Sequence, residues 1–206
     1  MGLYNDHILP RLVARACGSE GMLRWRTKVA RGLYGDVIEI GFGSGFNLSV
    51  MGPEVRTVYA VEPSQTAMKL AAKRIREAPM DVVHVGLDGG SIEMADASCD
   101  AALCTFTLCT VPDPRRALAE VHRVLRPGAR LHFLEHGVAP DESVARWQRR
   151  LDPWEVRLAD GCHLTRDANS LVLESGFELE HVTQRYAKGP RPWCYFTLGV
   201  ARRLDP

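Results

Sequence analysis

Glu39-Ile40-Gly41-Phe42-Gly43-Ser44-Gly45-Phe46-Asn47 decides how this chain folds, together with Glu62, which lies seventeen positions beyond Gly45. Before the glycines, Val37-Ile38-Glu39-Ile40 has the length and apolar content of a buried parallel strand. The glycines then read as a tight turn into the start of a helix. Thr57-Val58-Tyr59-Ala60-Val61 reads as a second strand that delivers Glu62 at its carboxyl end. Ligands of open α/β sheets bind at that edge, where an acid can hold both hydroxyls of a ribose. Glycine allows the backbone to approach a ligand that side chains would block.

Spacing separates two classes of ligand. A dinucleotide fingerprint needs glycine at the third position after Gly43, and Phe46 stands there. No basic residue flanks the turn to meet a pyrophosphate, whereas Glu39 offers a carboxylate. The pattern therefore suits a cationic nucleoside, S-adenosylmethionine, which carries an ammonium and a sulfonium. A nicotinamide oxidoreductase is the rival that Phe46 argues against, and a cofactor-binding module without catalysis is another.

The chain has 206 residues, of which 46% are hydrophobic and 25% charged, enough apolar material for one core. A net charge of +1 argues against a broad nucleic-acid footprint. No apolar run reaches the roughly eighteen residues of a membrane span, and no secretory signal is expected. Gly2 lacks the Ser or Thr that myristoylation wants, because Asp6 stands there. The six cysteines (Cys17, Cys99, Cys104, Cys109, Cys162, Cys194) form no Cys-x-x-Cys pair. A reduced cytoplasmic setting with no metal site and no disulfide framework is the expectation.

Residues 1–34 are expected to form a helical appendage on the sheet edge, with a solvated basic face or a lid that touches an anionic membrane surface. Residues 35–206 are expected to be one globular unit. Further strands are expected near 82–85, 101–106, 131–134, 177–183 and 193–200. Ser64 is placed to cap a helix that ends before Pro79, and Asp113-Pro114 marks another helix start. The segment from about 141 to 160 reads as helical, with Pro153 starting a new helix or kinking the old one. Thr165 is expected to cap a helix that begins at Arg166. The alternation predicts a Rossmann-like α/β three-layer sandwich: a mostly parallel seven-stranded sheet, its last strand antiparallel, with helices on both faces.

The order Glu39-x-Gly41-x-Gly43-x-Gly45, Glu62, Asp88, Asp100 and Arg123-Val124-Leu125-Arg126-Pro127-Gly128 resembles the class I S-adenosylmethionine-dependent methyltransferases over about residues 35–136. Thr107-Leu108-Cys109-Thr110-Val111, Phe133-Leu134-Glu135-His136, Trp147-Gln148 and Asp160-Gly161-Cys162-His163-Leu164-Thr165-Arg166 resemble the membrane-associated methyltransferase-like proteins that methylate alkyl thiols. Those proteins carry a hydrophobic amino-terminal anchor where this chain has a polar, basic segment.

The resemblance implies that Glu39, Asn47 and the backbone of Gly41, Gly43 and Gly45 hold the methionine part of the cofactor, leaving S-adenosylhomocysteine as product. It implies that Glu62, with Pro63 beside it, takes the ribose, and that Leu87, Asp88 and Gly89 meet the adenine. Thr105, Phe106 and Leu108 should line the floor beside the sulfonium. His136 and His163 are the candidate groups for deprotonating a thiol acceptor. Trp147, Asp152, Trp154 and Cys162 are placed at the acceptor pocket, where aromatic faces suit an apolar small molecule. Quinone carbon and phospholipid amine acceptors remain as alternatives. The Asn/Asp-Pro-Pro-aromatic clamp of nucleic-acid amino-methylation is missing from Thr105-Phe106-Thr107-Leu108. Oligomeric state is not legible.

Overall fold

The computed structural model describes residues 11, 18–86, 92–159 and 161–204. Seven strands form one sheet: β1 (Gly35–Ile40), β2 (Val55–Val61), β3 (Asp81–Gly86), β4 (Cys99–Thr105), β5 (Leu125–His136), β6 (Phe177–Tyr186) and β7 (Tyr195–Arg203). Their order is β3-β2-β1-β4-β5-β7-β6, and β7 runs antiparallel to both of its neighbours while every other pairing is parallel. The expected architecture is thus the one observed.

Alternation along the strands creates two cores. Ile38, Ile40, Ala102, Cys104, Leu131 and Phe133 point to one face. There they meet Leu118 and Val121 of α3 (Pro114–Val124) and Leu171 and Val172 of α5 (Ala168–Glu174). Val37, Val58, Ala60, Ala101, Leu103 and Leu134 point to the other face, against Trp25 and Val29 of α1 (Glu20–Val29) and Ala71 of α2 (Gln65–Glu77). Each fully buried Leu, Ile or Phe contributes roughly 1.5–3 kcal/mol. Buried on both faces, the central strands read as continuous apolar runs.

Register brings the strand ends together. Ile40 pairs with Val61 and with Cys104, Thr105 pairs with Leu134, and His136 pairs with Phe196. Gly41, Glu62, Phe106 and His136 therefore emerge along one edge of the sheet, the end where α/β proteins bind ligands.

Local signals behave as expected at two caps: Ala67 N donates to Ser64 Oγ (3.2 Å) and Arg116 N to Asp113 Oδ1 (3.0 Å). Elsewhere the structure corrects the expectation. The helix start after the glycine turn is a five-residue 3₁₀ helix, Phe46–Val50, because β2 begins at Val55 and leaves no room for more. Pro153 starts no new helix; it sits inside a continuous α4 (Glu142–Leu158). The helix expected from Arg166 begins at Ala168 and is capped by Asp167, whose carboxylate accepts from Asn169 N at 3.0 Å. Thr165 instead donates to Asp152 from both its amide and its hydroxyl.

The appendage expected at the sheet edge lies in part outside the described residues. Its described helix α1 packs across the inner strands instead: Trp25 meets Phe196 of β7 edge-on at 5.4 Å, and Val29 O bonds His132 Nδ1 of β5 at 2.8 Å. No described helix is long and apolar enough to cross a membrane.

Candidate active site

The glycine turn after β1 is left-handed at Gly41 (φ 69°), Gly43 (φ 57°) and Gly45 (φ 72°), a conformation that side chains resist. A Cβ at Gly41 would run into Thr107, so glycine is required there for packing. A Cβ at Gly43 would meet nothing nearer than the Gly41 carbonyl oxygen at 3.8 Å, so the space above that residue is clear.

Beneath the turn lies a buried polar network. Asn47 Nδ2 donates to Glu39 Oε1 (2.6 Å) and to Thr105 Oγ1 (3.0 Å). Arg26 Nη1 of α1 donates to Asn47 Oδ1 (2.8 Å) and to Thr105 Oγ1 (3.0 Å). Burial pushes the Glu39 carboxyl up to about 8, against the opposing pull of the Asn47 hydrogen bond and the Arg26 charge. Glu39 Oε2 and Arg26 Nε are both buried without a partner. Unsatisfied buried polar atoms are rare in native proteins, and these two present an acceptor and a donor in one network. That pair fits the ammonium and carboxylate of a methionine moiety. Burial of Arg26 also corrects the expectation that the basic residues of the amino-terminal segment are solvated.

At the end of β2, Glu62 is anchored by its neighbours: Oε2 accepts from Gly43 N (2.7 Å) and Oε1 from Ser64 N (2.8 Å). Pro63 is exposed beside it. Leu87, Asp88 and Gly89 lie outside the described residues. The segment from Ile92 to Asp96 is held by Arg123 of α3, whose guanidinium donates to Met94 O (2.7 Å) and Ile92 O (2.9 Å) and pairs with Glu120 and Asp96.

After β4 the chain turns sharply. Phe106 has φ 55°, an outlier for an aromatic residue, and packs on His136 (5.0 Å) and Phe196 (5.1 Å) between ring centres. Glu135 fixes the turn from below. Fully buried, it accepts from Thr107 N (2.9 Å), Leu108 N (3.0 Å), Cys109 N (3.2 Å) and Cys104 Sγ (3.3 Å). From above, Arg166 Nη1 donates to Leu108 O and Val111 O, both at 2.7 Å. Leu108 is buried under this loop rather than open at a floor.

The same loop carries Cys109 to a cluster. Cys109 Sγ and Cys162 Sγ are 3.7 Å apart, and each is 3.7 Å from His136 Nδ1. The hydrogen bond with Cys162, and then burial, push the Cys109 thiol well above its ordinary value. Next to the cluster, His163 Nδ1 pairs with Asp152 Oδ2 at 3.0 Å, while Asp152 Oδ1 accepts from Leu164 N at 2.7 Å. Asp152 thus organises the loop from Gly161 to Thr165 and orients a histidine. Trp147 and Trp154, expected over the acceptor, are 57% and 63% exposed on α4.

Sequence reasoning brought out Glu39, Asn47, Glu62 and the glycines, but not Arg26 or the role of Glu135. It expected no metal site, yet Cys109, His136 and Cys162 bring three metal-ligating atoms within 4.8 Å of one another. Separations of 27 and 26 positions hide such a group from any local spacing rule.

Residues 38–133 match the family model of a methyltransferase domain. The chain is 38% identical over 135 residues to the thiol S-methyltransferase TMT1B of Rattus norvegicus, covering 64% of this chain and 55% of that protein. It is 35% identical over 154 residues to the thiol S-methyltransferase TMT1A of Homo sapiens, covering 71% and 62%. A phosphatidylethanolamine N-methyltransferase of Cereibacter sphaeroides is 26% identical over 156 residues, covering 75% and 69%. The chain spans little more than half the length of the thiol S-methyltransferases it matches. Among solved structures, a SAM-dependent methyltransferase from Methanosarcina mazei aligns with TM-score 0.64 at 21% identity, covering 83% of this chain and 93% of that one. The [4+2]-cyclase SpnF aligns at 0.70 and 20%, covering 90% and 82%. At those identities the likeness speaks for the fold alone.

Proposed function

We propose that this chain, a class I S-adenosylmethionine-dependent methyltransferase by domain and fold, methylates the sulfur of a small thiol. The observation that carries the cofactor half is the buried, unpartnered Glu39 Oε2 beneath a left-handed glycine turn, with Arg26 Nε unpartnered in the same network. The acceptor half is supported by the 35–38% identity to thiol S-methyltransferases, and by a histidine-carboxylate pair next to the site edge.

Glu39 would take the ammonium of the methionine moiety and Arg26 its carboxylate. Glu62, held by two backbone amides, would accept from the ribose hydroxyls. Asp88 and Leu87 are assigned to the adenine by resemblance. When bound, the cofactor supplies a methyl group on a sulfonium, an electrophile that needs no further activation. The protein's task is then alignment, which can be worth roughly 7–11 kcal/mol, and delivery of the acceptor as a thiolate. With a reference pKa of about 8.5, only a few per cent of a free thiol is ionised at neutral pH. His163, oriented through Nδ1 by Asp152, has its other nitrogen to accept that proton.

The test is transfer of labelled methyl from S-adenosylmethionine to a panel of small alkyl thiols, phenols, quinones and phospholipid amines. Thiols are expected to turn over fastest, and His163→Ala to lower that turnover by about 10²–10⁴-fold while leaving cofactor affinity within about twofold. Preferential labelling of the amine arm would replace the thiol reading with a phospholipid one.

A further inference from the structure

Three side chains from three separate parts of the chain meet at the carboxyl edge of the sheet: Cys109 from the loop after β4, His136 from the end of β5, and Cys162 from the loop before α5. We infer that Cys109, Cys162 and His136 Nδ1 are a zinc site with three protein ligands, whose fourth position takes the acceptor thiol. The second half of this inference rests on the thiol reading above.

Geometry supports the metal. Zinc binds sulfur at about 2.3 Å and imidazole nitrogen at about 2.0–2.1 Å, so tetrahedral coordination puts sulfurs about 3.8 Å apart and each sulfur about 3.5–3.6 Å from the nitrogen. The three separations here are all 3.7 Å. Three thiol and imidazole ligands suit zinc over the harder, oxygen-seeking cations. The ligands are also held in place independently of any metal. Cys109 is fixed by its amide on Glu135, His136 by ring contacts with Phe106 and Phe196, and the Cys162 loop by the bond from His163 N to Cys109 O at 2.8 Å. Among the described residues the cluster offers three ligands, the number that catalytic zinc sites use when one position stays open. Cys109 and Cys162 are buried while His136 is partly exposed, so the open position is approached from the histidine side.

The chemistry balances simply. A thiol displaces water from the fourth position and its proton passes to His163, the acceptor named above, so the sulfur is held as a zinc-bound thiolate. One sulfur lone pair then forms the bond to the methyl carbon, while the carbon–sulfonium bond breaks and its electron pair stays on the departing cofactor sulfur. The product thioether is neutral, a poorer ligand than the thiolate, and is released.

The experiment is metal analysis of the reduced full chain, followed by cobalt substitution. About one zinc per chain is expected, with Cys162→Ser and His136→Ala each binding at least about 100-fold more weakly, a larger loss than outer-shell changes produce. Cys162→Ser should keep its affinity for S-adenosylmethionine by calorimetry, which separates ligand loss from misfolding. The cobalt form should show tetrahedral visible bands, and addition of an alkyl thiol should add sulfur-to-cobalt charge-transfer intensity. Absence of zinc binding under reducing conditions, or a Cys109–Cys162 disulfide that re-forms on standing in air and excludes zinc, overturns the site. A cobalt spectrum unmoved by thiol overturns the open-position assignment. Undiminished thiol methylation by the metal-free protein removes the metal from the reaction while leaving the proposed function standing.

Discussion

Glu135→Ala is expected to lower stability by at least about 3 kcal/mol, because it leaves the buried amides of Leu108 and Cys109 and the half-buried amide of Thr107 without an acceptor, at about 1–3 kcal/mol for each buried one. For a chain of this length that corresponds to a fall in melting temperature of at least about 6–12 °C. Methyl transfer should vanish even where the variant remains folded, since the same three amides set the path from the left-handed Phe106 to Cys109. Glu135→Gln keeps one acceptor oxygen and the side-chain shape, and should lie between the two. Urea unfolding of the three proteins measures the difference. A loss below about 1 kcal/mol in the alanine variant would mean that Glu135 does not hold the loop.

Glu39→Gln should move stability and binding in opposite directions. In the folded protein the Glu39 carboxyl is raised to about 8 from an ordinary value of 4.5. A group raised on folding is harmless below its unfolded value, and stability is lost as pH climbs through the interval to the folded value. Between pH 4.5 and about 8, wild type without cofactor should therefore weaken steadily, by about 3 kcal/mol at pH 7 relative to a neutral side chain. Glutamine cannot ionise and still accepts from Asn47, so its stability should be nearly flat over that window. Its melting temperature at pH 7 should be higher by about 6–12 °C. Loss of a charge-assisted contact to an ammonium removes about 1.5–3 kcal/mol of binding, a 10–100-fold loss of affinity for S-adenosylmethionine. Wild type should also release protons on binding at pH 7, read as a dependence of the calorimetric heat on buffer ionisation enthalpy. Equal affinity in the two proteins would remove Glu39 from the cofactor site.

Both substitutions bear on how much of this site the sequence discloses. Glu39, the glycines and Glu62 were legible because strand periodicity and turn chemistry are local: each residue is read from a handful of neighbours. The mostly parallel sheet followed from the alternation of elements, and the tight turn from three closely spaced glycines, whose left-handed backbone and the strand order came only with the fold. Arg26 was not legible. It contacts Thr105, 79 positions away, and nothing in a basic amphipathic segment distinguishes an arginine that points inward. Glu135 stood in a recognisable motif, yet its role depends on three amides that only the folded loop aims at it. Trp147 and Trp154 were legible as apolar but not in direction, since a helix decides which way its residues face only once it is docked. The cysteine cluster fails the local test most completely, because Cys109 and Cys162 belong to two separate loops and His136 to a strand end, which meet only at the sheet edge.

All of this chemistry depends on a cationic nucleoside lying over the ends of β1 and β2, gripped by Glu39 on one strand and Glu62 on the next. A crystal structure of the chain with S-adenosylhomocysteine decides the matter. The amino group is expected on Glu39 Oε2, the carboxylate at Arg26, and both ribose hydroxyls on Glu62. A ligand bound elsewhere, or one in the cleft whose ribose lies away from Glu62, would refute that placement.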